Sequence, residues 1–198
     1  MTTRLVVLCS GGGTNLQAIL DACHNQEITA RVAAVFSNKS DAYGLVRASL
    51  AGVPSISFPK YSGEARQDYD RRLANEIERY EPDYVVLAGW MRLLSNVFLS
   101  RFQRKVINLH PALPGTFPGV HAIERAYQAF QRGEIECSGV MVHFVPDEGV
   151  DNGPVLAVQK INILPGETLE EFEARVHALE HQLLVDTLKK LAGTAVPG

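Results

Sequence analysis

Asn108-Leu109-His110 sets an amide and an imidazole on alternate residues of an apolar run. On an extended strand both side chains project to the same face, or at its carboxyl end. There the asparagine can donate N–H to a developing oxyanion, and the histidine can donate or relay a proton. Taken alone, the histidine reads rather as a core residue bonded to a backbone carbonyl. A second group of reactive types is the turn Asp147-Glu148-Gly149-Val150-Asp151-Asn152-Gly153, with three carboxylates and two glycines. A buried carboxylate facing His110 would raise the imidazole pKa and hold the ring's orientation. The residue pattern does not say which acid does so, and a solvated acidic loop is the alternative. Calcium would need a longer alternating set of oxygen ligands.

The third group is Ser10-Gly11-Gly12-Gly13-Thr14-Asn15, between an apolar run and a helical pattern. Glycine lets the backbone approach an anion, and the free N–H groups of a helix N-terminus favour negative charge. The Gly-Lys-Ser/Thr of a P-loop is missing. The third glycine of a dinucleotide fingerprint is Leu16 here, and no acid ends the second strand. A single phosphate monoester fits better; the alternative is a glycine turn capped by Thr14 or Asn15 that binds nothing. His121 and His143 stand alone, and no Cys/His cluster supports zinc. His177 and His181 are spaced to permit metal binding but lack a repeated acidic partner, which favours a surface or core role. The apolar stretch at 87–94 (LAGWMRLL) reads as core, with Trp90 and Arg92 hinting at a pocket for a flat ligand.

Positioning these groups takes an alternation of strands and helices. Apolar, β-branched runs at 5–9, 32–36, 84–88 and 106–110 are of the kind buried on both faces of a parallel sheet. A short third strand is expected at 54–58. Helices are expected from Thr14, through Leu45 to Gly52, at 64–79, near 95–102, at 121–131 and at 169–191. In the helix at 64–79, Tyr69, Leu73 and Ile77 form the buried stripe. Three prolines make 111–119 a stiff irregular loop. Strands at 139–145 and 154–161 flank the acidic turn, and Gly193–Gly198 reads as frayed. The expected fold class is α/β: a doubly wound, mostly parallel Rossmann-like sheet with antiparallel strands in the C-terminal third.

Composition narrows the function classes. With 46% hydrophobic and 21% charged residues in 198, the chain is neither disordered nor collagen-like. The formal charge of −3 gives no electrostatic footprint for nucleic acid. No apolar run approaches the ~20 residues of a membrane span, and Gly11 interrupts any signal-peptide pattern. The three cysteines are odd in number and widely spaced, as in reduced core thiols of a cytoplasmic protein.

Together these segments resemble the phosphoribosylglycinamide formyltransferase family, folate-dependent enzymes of purine synthesis, from Val6 to about Leu188. The resemblance lies in Ser10–Ile19 (SGGGTNLQAI), Val35-Phe36-Ser37-Asn38-Lys39 and Val86–Leu94 (VLAGWMRLL). It continues in Ile107-Asn108-Leu109-His110-Pro111 with Pro118-Gly119, Val142-His143-Phe144-Val145, and Val150-Asp151 before Gly153-Pro154. It implies a formyltransferase fold over residues 1–198, with a phosphate-binding half at about 1–105 and a catalytic and folate half at about 106–192. The implied reaction moves a formyl group from 10-formyltetrahydrofolate to the amine of 5′-phosphoribosylglycinamide. The products are 5′-phosphoribosyl-N-formylglycinamide and tetrahydrofolate. The folate is a co-substrate; no permanently bound cofactor and no metal are implied.

By the same resemblance the catalytic residues fall on Asn108, His110 and Asp151. The ribonucleotide side falls on Gly13, Thr14, Asn15 and Glu180. The folate side falls on Arg66, Met91, Arg92, Leu93, Leu94, Asn108, Pro146, Asp147, Glu148 and Val150. The chain departs from bacterial members in an additional Gly149 and in Pro-Ala-Leu-Pro-Gly-Thr-Phe-Pro after His110. The nearest rival is a formyltetrahydrofolate hydrolase, whose family carries an extra regulatory domain before the catalytic one. A tRNA formyltransferase would add a C-terminal RNA-binding domain and a more basic surface. A non-enzymatic nucleotide-binding regulator would bind without turnover. The expected partners are small molecules, not nucleic acid or membrane, for a monomer or homodimer.

Overall fold

The computed structural model describes residues 2–193. Its elements are β1 (Thr3–Cys9), α1 (Thr14–His24), β2 (Ala30–Ser37), α2 (Tyr43–Leu50), β3 (Ser55–Ser57), α3 (Arg66–Glu78) and β4 (Tyr84–Leu87). There follow α4 (Asn96–Leu99), a 3₁₀ turn (Ser100–Phe102), β5 (Val106–His110), α5 (Ala122–Gln131), β6 (Cys137–Phe144), β7 (Val155–Asn162) and α6 (Leu169–Gly193). One seven-stranded sheet runs in the order β3-β2-β1-β4-β5-β6-β7. Its first four pairings are parallel; β6 pairs antiparallel with β5, and β7 antiparallel with β6. The expected α/β class and the antiparallel C-terminal strands are therefore both present.

Alternation along the strands explains why helices cover both faces. Leu5, Val7 and Cys9 of β1 join Leu16 and Ile19 of α1 and Phe172, Val176 and Leu184 of α6 in one core. Val6 and Leu8 point the other way, into a second core with Tyr69, Leu73 and Ile77 of α3 and Phe98 of α4. The stripe on α3 is fully buried, as its spacing predicts. Each such side chain contributes roughly 1.5–3 kcal/mol by leaving water.

The chain order reverses beside β1, which has β2 on one side and β4 on the other. Open α/β sheets form a crevice at that point, outside the carboxyl ends of the strands. Here Ser10 stitches the crevice together. Its N–H donates to the Gly89 carbonyl at 3.0 Å, and its hydroxyl donates to Asn38 Oδ1 at 2.6 Å. The same hydroxyl accepts from the Met91 N–H at 2.8 Å. The glycine loop after β1 and the 89–94 segment after β4 are thus fixed to each other.

Several expected boundaries shift for local reasons. The helix expected at 64–79 starts at Arg66, because the Tyr61 N–H and Arg72 hold the Glu64 side chain in a preceding turn. The helix expected at 95–102 divides into α4 and a 3₁₀ turn. Gly193 ends α6 rather than fraying; the rest of that expected tail lies outside the described residues. Neither Thr14 nor Asn15 caps α1: the N-cap is Gly13, with φ of 70°, and no side chain bonds there.

Gly153 closes the acidic turn against β6. A Cβ on it would sit 1.8 Å from the Phe144 carbonyl oxygen, which is backbone and cannot yield. Gly153→Ala is therefore expected to cost about 1–3 kcal/mol in denaturant unfolding, the range for overpacking. Because the turn carries Asp151, activity should fall with it. Wild-type stability in that variant would show that the turn relaxes freely.

Candidate active site

His110 ends β5, and Asn108 lies two residues before it on the same face. Antiparallel pairing of β6 sets His143 directly opposite Asn108. The acidic turn then folds back so that Asp151 enters the same group from above the strand ends. Asp151 holds a left-handed backbone, φ 52°, which aspartate tolerates better than most residues. The four side chains form one cluster, with His110 and His143 buried and Asn108 and Asp151 partly so.

The hydrogen bonds assign its protons. His143 Nδ1 lies 2.9 Å from the Phe144 carbonyl oxygen, which can only accept, so Nδ1 carries the hydrogen. His143 Nε2 then presents a lone pair, and Asn108 Nδ2 donates to it at 3.1 Å. The other Asn108 amide hydrogen goes to Asp151 Oδ1 at 3.0 Å. Asp151 Oδ2 accepts from the Gly119 N–H at 2.8 Å and lies 3.2 Å from His110 Nδ1. That approach favours the proton of a neutral His110 on Nδ1. His110 Nε2 is buried and has no hydrogen-bond partner.

Burial dominates the titration of His110 and pushes its pKa below the ordinary histidine value. The Asp151 charge and the carbonyls of Thr116 and Phe117 pull it back only in part. The upward shift expected from a facing carboxylate is thus reversed, because desolvation of a ring only 3% exposed outweighs one buried negative charge. Burial pushes the Asp151 carboxyl upward, but the Gly119 N–H and the neighbouring His143 and His110 rings outweigh it. Its net shift is downward, so it stays ionised.

This cluster lies on a cavity of about 280 Å³, lined by Leu87, residues 89–94, 108–111, 119–122, His143, Val145 and 147–151. Met91, Leu93, Val120 and Val150 leave much apolar surface exposed at its rim. Glu148 fastens the acidic turn over it, accepting the Asn96 N–H at 2.9 Å and pairing with Arg66. Those two contacts draw the Glu148 carboxyl below its usual range.

Residues 3–188 match the formyl transferase family. The chain belongs to the formyl transferase family. It is 44% identical to the phosphoribosylglycinamide formyltransferase of Dictyostelium discoideum over 97% of this chain and 99% of that protein. It is 45% identical to the Escherichia coli protein of the same name over 91% of this chain and 82% of that one. The crystal structure of glycinamide ribonucleotide transformylase 1 from Symbiobacterium toebii superposes with a TM-score of 0.90. That protein is 39% identical, with 100% of this chain and 92% of that chain covered.

In this formyltransferase the expected catalytic three, Asn108, His110 and Asp151, come together, and Met91, Arg92, Leu93, Leu94, Asp147, Glu148 and Val150 line the cavity. Pro146 and Arg66 do not line it; Arg66 reaches its rim through Glu148. Gly13, Thr14 and Asn15 lie at the start of α1. Glu180 is buried on α6, outside the cavity, and pairs with His177 at 2.6 Å. That bond raises the His177 pKa. His143, expected to stand alone, is a full member of the cluster. Its place depends on the β5–β6 register, which no local pattern encodes.

The signs give a pH expectation. A histidine whose folded pKa is depressed supplies stability above its unfolded value of ~6.5, and that stability is lost as pH falls through the folded value. NMR titration should find His110 below ~6.5 in the wild type and lower still in Asp151→Asn, where the opposing charge is gone. A His110 titrating above ~6.5, or unmoved in that variant, would contradict both the burial argument and the pairing.

Proposed function

We infer that this enzyme transfers a formyl group from 10-formyltetrahydrofolate to the amine of 5′-phosphoribosylglycinamide, a step of purine synthesis. The relatives and solved neighbours support the reaction. The residue assignment rests on one observation: a buried carboxylate tied to an asparagine and two histidines, with one imidazole nitrogen left unpartnered. We read the chain as one formyltransferase domain, its phosphate side in about 1–105 and its catalytic side in about 106–192. The cavity draws on both.

The neutral amine attacks the formyl carbon, forming a C–N bond and placing negative charge on the formyl oxygen. Asn108 releases the neutral His143 acceptor and donates that hydrogen to the oxyanion, while its bond to the Asp151 carboxylate keeps it aimed. His110 takes up the proton released by the amine, through water in the cavity. The resulting imidazolium is stabilised by Asp151 and by the Thr116 and Phe117 carbonyls. The proton then passes to the folate nitrogen as its bond to the formyl carbon breaks. Residues 91–94 and the acidic turn hold the folate. Gly13, Thr14 and Asn15 take the phosphate, and Glu180 holds the glycinamide end. Holding both substrates in one crevice supplies orientation, which no single residue does.

The protein acts on small molecules, and among the described residues no helix is long and apolar enough to cross a membrane. Three free cysteines support a cytoplasmic setting, and we read the protein as a monomer or homodimer. Burial pushes the thiols of Cys9 and Cys23 up to about 11, so they stay protonated.

His110→Ala should reduce turnover by ~10²–10⁴, the range for a positioned acid–base group, with ribonucleotide affinity nearly unchanged. Activity within tenfold of wild type would remove His110 from the mechanism. Folate turnover should be negligible until the amine acceptor is added. Rapid formate release without it would mark a hydrolase.

A further inference from the structure

The glycine loop owes its shape to α2 as much as to its own glycines. The Gly11 carbonyl accepts the Gly44 N–H at 3.0 Å, and the Gly12 carbonyl accepts Arg47 Nε at 2.7 Å. In a planar trans peptide the N–H points opposite to the C=O. With both carbonyls turned onto α2, the N–H groups of Gly12 and Gly13 turn away from it, side by side. Among the described residues neither N–H has a protein acceptor. Successive backbone N–H groups presented in this way form an anion-binding concavity.

Arg47 also reaches the first turn of α1, where its Nη1 donates to Gln17 Oε1 at 3.1 Å. Gln17 is held in turn by Asp21, which accepts its Nε2 at 2.9 Å. The Arg47 guanidinium lies 5.0 Å from the centre of the Tyr43 ring, which limits its rotamers. Gly13 and Gly44 permit this closeness: a Cβ on Gly13 would sit 2.7 Å from the Gly44 Cα. The fork of an arginine is needed to engage the loop carbonyl and the Gln17 side chain together. A lysine presents a single point of charge.

We propose that Arg47 is a positioning residue for the acceptor's phosphate, fixing the glycine loop with its N–H groups outward and placing a positive charge behind them. The inference rests on the ribonucleotide reading above. Arg47 takes no part in the formyl chemistry, which occurs beside His110. Its effect is confined to substrates that carry a phosphate.

The test compares 5′-phosphoribosylglycinamide with its dephosphorylated ribonucleoside as acceptors for wild type, Arg47→Ala and Arg47→Lys. Wild type should prefer the ribonucleotide strongly; absence of that preference would overturn the phosphate-loop reading itself. Arg47→Ala should raise KM for the ribonucleotide by about tenfold to a hundredfold, the scale of a lost charge-assisted hydrogen bond. KM for the ribonucleoside and for 10-formyltetrahydrofolate should stay within about twofold, the ordinary effect of a surface change. Arg47→Lys should fall between wild type and Arg47→Ala, and it carries the test if the alanine variant does not fold. Equal loss with both acceptors would show general damage to the fold. An unchanged preference for the ribonucleotide in both variants would equally overturn the role of Arg47.

Discussion

One largely buried carboxylate organises the candidate site. Asp151 is held by the Gly119 N–H from the loop after β5 and by the Asn108 amide from β5 itself. It also lies within reach of both histidines, at 3.2 Å from His110 and 3.6 Å from His143. Removing such a charge from water is costly unless donors replace the lost solvent, and those donors come from β5 and from the loop after it. The acidic turn, the proline loop and the paired strands β5 and β6 therefore have to close together. The left-handed φ of Asp151 and the absence of a side chain at Gly153 are the local conditions that let the turn reach inward.

The sheet topology decides where that closure occurs. β4 and β5 are parallel neighbours beside β1, so their carboxyl ends and the glycine loop open on the same side. Ser10 ties the loop after β1 to the backbone of Met91, so the glycine loop and the 89–94 segment share one frame. A reaction between two bound molecules depends on that frame, because a small misplacement of either ends the advantage of holding them together.

Much of this was legible in the sequence, and what was not has a common cause. The buried runs of β1, β2, β4 and β5, the stripe on α3 and the glycine loop are local patterns, and each forms close to its expected place. The pairing of Asn108 with His143 is a register relation between strands 35 residues apart, so His143 read as a lone histidine. The resemblance selected Asp151 from three acids, which composition alone could not do. The His110 shift had the wrong expected sign because burial is a tertiary property. A facing carboxylate can be guessed from spacing, whereas the loss of water around the ring cannot.

That reversed sign changes how the proton is handled. An imidazolium formed before the substrates bind would repel the proton that the amine must lose on attack. On the mechanism proposed above, a His110 whose pKa is lowered by burial is instead able to accept it. The Asp151 oxygens, which stabilise the protonated ring, are already in place beside it, with Oδ2 3.2 Å from Nδ1. They cost no reorganisation when charge develops, which is the general advantage of a preorganised site. Asn108 fits the same logic. Its bond to a carboxylate is the stronger of its two, and its bond to the neutral His143 the weaker, so one hydrogen anchors the amide and the other can be given to the oxyanion.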